Sequence, residues 1–60
     1  MYKYSVGQYV SVGGYIAHIG DQYITGHGEN AYTVIINGHG YSVLESDIDR
    51  PIDPKWRITN

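Results

Sequence analysis

There is no cysteine among the 60 residues, so neither a disulfide nor a thiolate-held metal can brace this chain. That absence agrees with a reducing, cytoplasmic setting, which is the expected location. No run of ~18 apolar residues occurs either, so the signature of a membrane-spanning helix is missing. The amino end, MYKYSVGQYVSV, carries one lysine but lacks an unbroken apolar stretch and a small-residue cleavage site, and is not read as a secretory signal. Positive charge is scarce. Four Lys and Arg stand against six Asp and Glu, a net charge of −2, whereas proteins that grip nucleic acid non-specifically need clustered cations. Alanine and leucine are nearly absent too: Ala17, Ala31 and Leu44 are the whole supply. Helices are therefore poorly supported.

Sixty residues allow one domain, spanning 1–60, near the lower size limit for folding alone. A core this small typically supplies ~3–5 kcal/mol of net stability. Met1 directly precedes the first expected strand, so the chain is expected to be a complete small gene product.

What the chain does contain is strand material: seven tyrosines, many valines and isoleucines, and eight glycines as punctuation. In VGQYVSV, Val6, Val10 and Val12 share one parity, as one buried face requires. Gly13-Gly14 then signals a turn. In YIAHI, Tyr15, Ala17 and Ile19 oppose Ile16 and His18. Gly20-Asp21 predicts a bulge or sharp bend before QYIT. The pattern lapses from Gly26 to Asn30 and resumes in AYTVII, with Tyr32, Val34 and Ile36 on one face. Asn37-Gly38 predicts a tight hairpin, because a type I′ turn needs two residues at positive φ. If those two residues are the whole loop, Val34 faces Tyr41 and Tyr32 faces Val43. If the loop runs from Asn37 to Gly40, Ile36 faces Tyr41 and Val34 faces Val43. Either register keeps the same residues on the same face.

In ESDIDRP, Ser46 and Asp47 are natural caps and Pro51 confines Arg50 to extended geometry. One turn of 3₁₀ helix fits there, with Ile48 pointing inward. A short last edge strand is expected in KWRIT, about 55–59. The expected fold is all-β: a single small barrel of about five short antiparallel strands, with one 3₁₀ turn before the last. The run VGQYVSV … YIAHI … AYTVIINGHGYSVLESDI resembles the small SH3-like or Tudor-like barrel proteins of bacteria and their phages. The resemblance covers roughly Ser5 to Asp49. It rests on the opening Val-Gly, the central Asn-Gly hairpin and the acidic ESDI turn. It implies a five-stranded barrel that binds peptides or protein surfaces along an aromatic strip.

Gly-His-Gly occurs twice, at 26–28 and 38–40. A shared metal would need imidazole nitrogens at ~2.0–2.1 Å from one ion. Six strand residues, Ala31 to Ile36, separate the two turns by ~17–20 Å at ~3.4 Å per residue. His18 completes no site. Neither glycine pair opens a helix, so a phosphate cradle is also unsupported. Both tripeptides are read as turns at the two ends of one strand, and no metal or other cofactor is expected. Ser5, Ser11, Ser42 and Ser46 have no local link to a histidine base. Glu45, Asp47 and Asp49 could pair for acid–base work but suit a solvated cap better, and 60 residues seldom enclose a substrate pocket of ~300–1,000 Å³. No enzymatic activity is expected.

The aromatic surplus is the remaining signal. A barrel this small cannot bury every ring. Parity assigns Tyr32 and Tyr41 to the core, leaving Tyr2, Tyr4, Tyr9, Tyr15, Tyr23 and Trp56 as candidates for an interaction surface. Beside them, Glu45, Asp47 and Asp49 suit a partner with a basic surface. The expected function is a protein-interaction module, such as a phage- or mobile-element-encoded adaptor or inhibitor of a host protein. Two alternatives stand beside it. One is a nucleic-acid-binding barrel using Lys3, Arg50, Lys55 and Arg57 with stacked tyrosines. The other is a structural protein whose edge strands join copies into a homo-oligomer.

Overall fold

A computed structural model of the chain describes residues 1–53. The stretch KWRIT expected to form a last edge strand, with Lys55, Trp56 and Arg57, lies outside the described residues. Five strands form one antiparallel sheet: β1 (Tyr9–Val12), β2 (Tyr15–Ile24), β3 (Asn30–Ile36), β4 (His39–Leu44) and β5 (Arg50–Pro51), with a 3₁₀ turn at Glu45–Asp47. Their spatial order is β4-β3-β2-β1-β5. Among the described residues the sheet does not close into the expected barrel, and β4 and β5 are its two edges.

Turn chemistry sets the register. Gly13 and Gly14 have φ of 58° and 87°, and Asn37 and Gly38 have 52° and 83°. Both pairs therefore form two-residue turns whose twist matches that of the flanking strands. The second hairpin takes the shorter of the two expected loops, pairing Ile36 with His39, Val34 with Tyr41 and Tyr32 with Val43. Gly20 lies at the expected bulge, where the β2–β3 register shifts between Ile19 and Asp21. The Ile35 side chain lies 3.4 Å from where a Gly20 Cβ would stand.

The core occupies one face of the sheet. Val10, Ala17, Ile19, Tyr32 and Val34 are buried there together with Tyr4 and Ile48, which reach over from the two flanking segments. Ile48 points inward as its position after the 3₁₀ turn predicts. The Ile48 amide closes that turn onto the Glu45 carbonyl at 3.2 Å, and the Asp49 amide then bonds the Ser11 carbonyl at 2.8 Å. Thus the acidic turn delivers β5 to the edge of β1.

Three expectations need correction. Val6 does not continue the buried parity of Val10 and Val12; it is 55% exposed. It lies in a turn closed by the Gln8 amide on the Ser5 carbonyl at 3.0 Å, with Gly7 at φ 92°, so the strand begins later, at Tyr9. Tyr4, expected on the surface, is only 4% exposed. Its ring meets the Tyr32 ring edge-on, with centroids 5.8 Å apart. Tyr41, expected in the core, is 50% exposed. Parity placed Tyr41 on the correct face, opposite Val34, but among the described residues nothing covers that end of the face.

Candidate functional site

The same sheet face is thus closed at one end and open at the other. At the closed end, the first four residues fold across Tyr32 and are held by a single carboxylate. Oε2 of Glu45 accepts from the Lys3 amide at 2.9 Å, the Asn30 side-chain amide at 3.2 Å and the Tyr32 hydroxyl at 2.5 Å. The Tyr32 hydroxyl in turn accepts from the Tyr4 amide at 3.2 Å. Asn30 also donates to the Met1 carbonyl at 2.7 Å. Tyr2 adds a second edge-on contact with the Tyr32 ring, at 6.0 Å.

This network shifts both acids in the direction that keeps the bond. Glu45 is held below the usual carboxylate value by the Tyr32 hydroxyl first and the Lys3 amide next. Burial, and then the Glu45 carboxylate, push the Tyr32 hydroxyl above its ordinary 10.0. The other acidic residues of the turn are also engaged within the fold. Asp47 accepts from the Leu44 amide at 3.0 Å, and Asp49 accepts from the Ser11 hydroxyl at 3.4 Å. Glu45, Asp47 and Asp49 therefore have structural partners of their own, whatever charge Asp47 and Asp49 also present to solvent.

At the open end lies a groove of about 610 Å³ lined by Val12, Tyr15, Ile36, His39, Tyr41 and Val43, among others. Tyr15 is 61% exposed and opposes Val12 across the first hairpin. Tyr41 belongs to the second hairpin. Among the described residues, no Lys, Arg, Asp or Glu lines the groove. The two hairpin turns lie at this end of the sheet, so the groove is the part of the core face that neither Tyr4 nor Ile48 reaches.

The remaining expected site residues are dispersed. Tyr23 is on the opposite sheet face, where its hydroxyl shares a hydrogen bond with the Ser42 hydroxyl. Tyr9 pairs with His18 across β1 and β2, their rings 5.7 Å apart. Tyr2 is half-buried against Tyr32. Of the seven tyrosines, Tyr15 and Tyr41 share the groove and the other five do not. Tyr41 was missed because alternation gives a residue its face and not its cover. The available signal was its place beside the hairpin, at the end of the strand farthest from the acidic turn. The described cations of the nucleic-acid alternative are Lys3 and Arg50, both exposed. Lys3 stands over the Tyr4 ring, its Nζ 5.7 Å from the centroid, and Arg50, in β5, pairs with Ser11 of β1. The Gly-His-Gly pair resolves into a loop and a strand start. His27 lies between β2 and β3, with its amide on the Thr25 hydroxyl at 3.2 Å, and His39 opens β4. They stand at opposite ends of β3.

No protein-family model, curated protein or solved structure matches the chain.

Proposed function

We propose that the chain is a non-catalytic protein-binding module that takes a neutral, apolar segment of a partner protein into the groove between Tyr15 and Tyr41. One observation carries this reading. A face that is hydrophobic core along the rest of its length ends in two large exposed rings, with no Lys, Arg, Asp or Glu among the described residues of the groove's walls. Rigid aromatic side chains give large contact area at low entropy cost, which is why they dominate interface hot spots. The acidic balance of the chain favours a partner whose segment is flanked by basic residues. The SH3-like resemblance read from the sequence implies an aromatic binding strip, and the groove between Tyr15 and Tyr41 is where this reading places it.

The test is affinity capture with the tagged chain, with and without nuclease, followed by titration of the recovered protein. Tyr15→Ala and Tyr41→Ala should each weaken binding by ~2 kcal/mol, roughly 30-fold. Tyr23→Ala, on the far face, should leave it unchanged. Equal loss with all three variants would overturn the groove assignment. Capture that disappears with nuclease would favour the nucleic-acid alternative.

A further inference from the structure

The two edges of the sheet are built differently. The β5 edge is two residues long and consists of Arg50 and Pro51, so it carries both a charge and a residue that cannot donate. Those are the devices that keep a sheet edge from recruiting another strand. The β4 edge has neither. Its six residues, HGYSVL, include no Lys, Arg, Asp, Glu or Pro, and all six pair with β3 without a register shift. Among the described residues, no strand lies on its outer side.

The hairpin register fixes which backbone groups face outward. In a two-residue hairpin the flanking pair exchanges both hydrogen bonds, and bonded and non-bonded pairs then alternate. Here Ile36–His39, Val34–Tyr41 and Tyr32–Val43 are the bonded pairs. The amides and carbonyls of Gly40 and Ser42 therefore point away from β3. Leu44 would continue the series, but its amide already donates to the Asp47 carboxylate at 3.0 Å. The free edge is a two-residue unit centred on Tyr41.

We infer that β4 is the seam of a two-fold homodimer, in which Gly40 of one copy pairs with Ser42 of the second and Ser42 with Gly40. This register makes four backbone hydrogen bonds and sets Tyr41 directly opposite Tyr41 at a non-bonded position, where side chains approach closest. Such an interface is self-complementary, as two-fold symmetry demands. The chemistry of the strand selects a copy of itself over a charged peptide. It has no Lys, Arg, Asp or Glu to recruit one, and two chains of net charge −2 meet there without opposed carboxylates. Gly40 leaves the outer face clear for Ser42, whose hydroxyl is already held by Tyr23. The two apolar grooves then adjoin across the paired tyrosines. With so short a seam the dimer is weak and concentration-dependent.

The inference does not depend on the partner-binding reading, because Tyr15→Ala removes a groove wall and leaves the seam intact. Sedimentation of the full chain over a concentration series should show a transition from 6.7 kDa to twice that mass, unchanged by Tyr15→Ala. Tyr41→Lys and Tyr41→Glu place like charges opposite each other and should each weaken the dimer by roughly a hundredfold. Mixed in equal amounts, the two variants should dimerise again. Ser42→Pro removes an outward donor without touching the β3 ladder, so it should give a folded monomer by circular dichroism. A wild-type chain that stays monomeric at every concentration would overturn the inference. So would a mass beyond two copies, a dimer indifferent to Ser42→Pro, or charge variants that fail to rescue each other. Shifts of the Gly40 and Ser42 amides caused only by a captured partner's segment would assign the edge to a foreign strand instead.

Discussion

Replacing Tyr32 with Phe isolates the polar knot at the closed end of the sheet. The ring is fully buried and makes edge-on contacts with Tyr2 and Tyr4, and phenylalanine preserves all of that packing. What disappears is one oxygen that donates to Glu45 and accepts the Tyr4 amide at 3.2 Å. The Tyr4 amide is then left buried without its acceptor, a loss of ~1–3 kcal/mol. At ~2.1 cal/mol/K of unfolding entropy per residue, a chain of this length loses ~8 °C of Tm per kcal/mol. Tyr32→Phe should therefore melt ~8–24 °C below the wild type, followed by circular dichroism at pH 7. Against a net stability of ~3–5 kcal/mol, a loss of ~1–2 kcal/mol leaves the variant mostly folded at room temperature, and a loss of ~3 kcal/mol brings it close to its midpoint there. A melting point within ~2 °C of the wild type would refute the reasoning, since by the same entropy scale the hydroxyl would then contribute almost nothing.

Two further predictions follow from the same end of the molecule. Because the folded chain holds Glu45 below its ordinary 4.5, the unfolded chain binds more protons in acid, and stability present above that value should be lost as pH falls through the folded one. Tyr32 works in the opposite sense. Its hydroxyl is raised above 10.0, so the stability it contributes is present below that pH and declines as pH rises toward the folded value. Urea midpoints across pH should show both limbs, and Glu45→Gln should flatten the acid one; an unchanged acid limb would contradict the network. In the core, Ile19→Val should cost ~0.5–1.5 kcal/mol and leave a cooperative melt, whereas Ile19→Ala, at ~2–5 kcal/mol, should remove most of a net stability of ~3–5 kcal/mol and lower the melting point far more than Ile19→Val does. An Ile19→Ala variant that melts no lower than Ile19→Val would show that the site can collapse around the missing methyl groups.

Strand identity was legible where local chemistry decides it. Asn37-Gly38 specified a two-residue turn, Gly20-Asp21 the bulge, and alternation in AYTVII the buried face of Tyr32 and Val34. The acidic turn was also legible as a 3₁₀ cap, with Ile48 inward. Burial that depends on distant segments was not. Tyr4 carries no local sign of being core, because its position comes from Tyr32 and Glu45, 28 and 41 residues away in the sequence. Val6 shares the parity of Val10 and Val12 in the sequence, but it lies in a turn ahead of the strand, where parity no longer decides burial. The carboxylates of ESD look like an open acidic patch in the sequence; in the fold, Glu45 and Asp47 hold backbone amides and Asp49 meets Ser11. Tyr41 shows the same limit from the other side. Its parity is correct, yet no described segment extends far enough to cover it.

The open end of the core face is the central claim, and amide chemical-shift mapping tests it most directly. The labelled chain would be titrated with the protein recovered by capture, at a concentration too low for self-association. Shifts confined to Val12, Tyr15, Ile36, Tyr41 and Val43 are the expected result. Shifts centred on Tyr9, His18 and Tyr23 across the opposite face, or on Lys3 and Arg50, would contradict it.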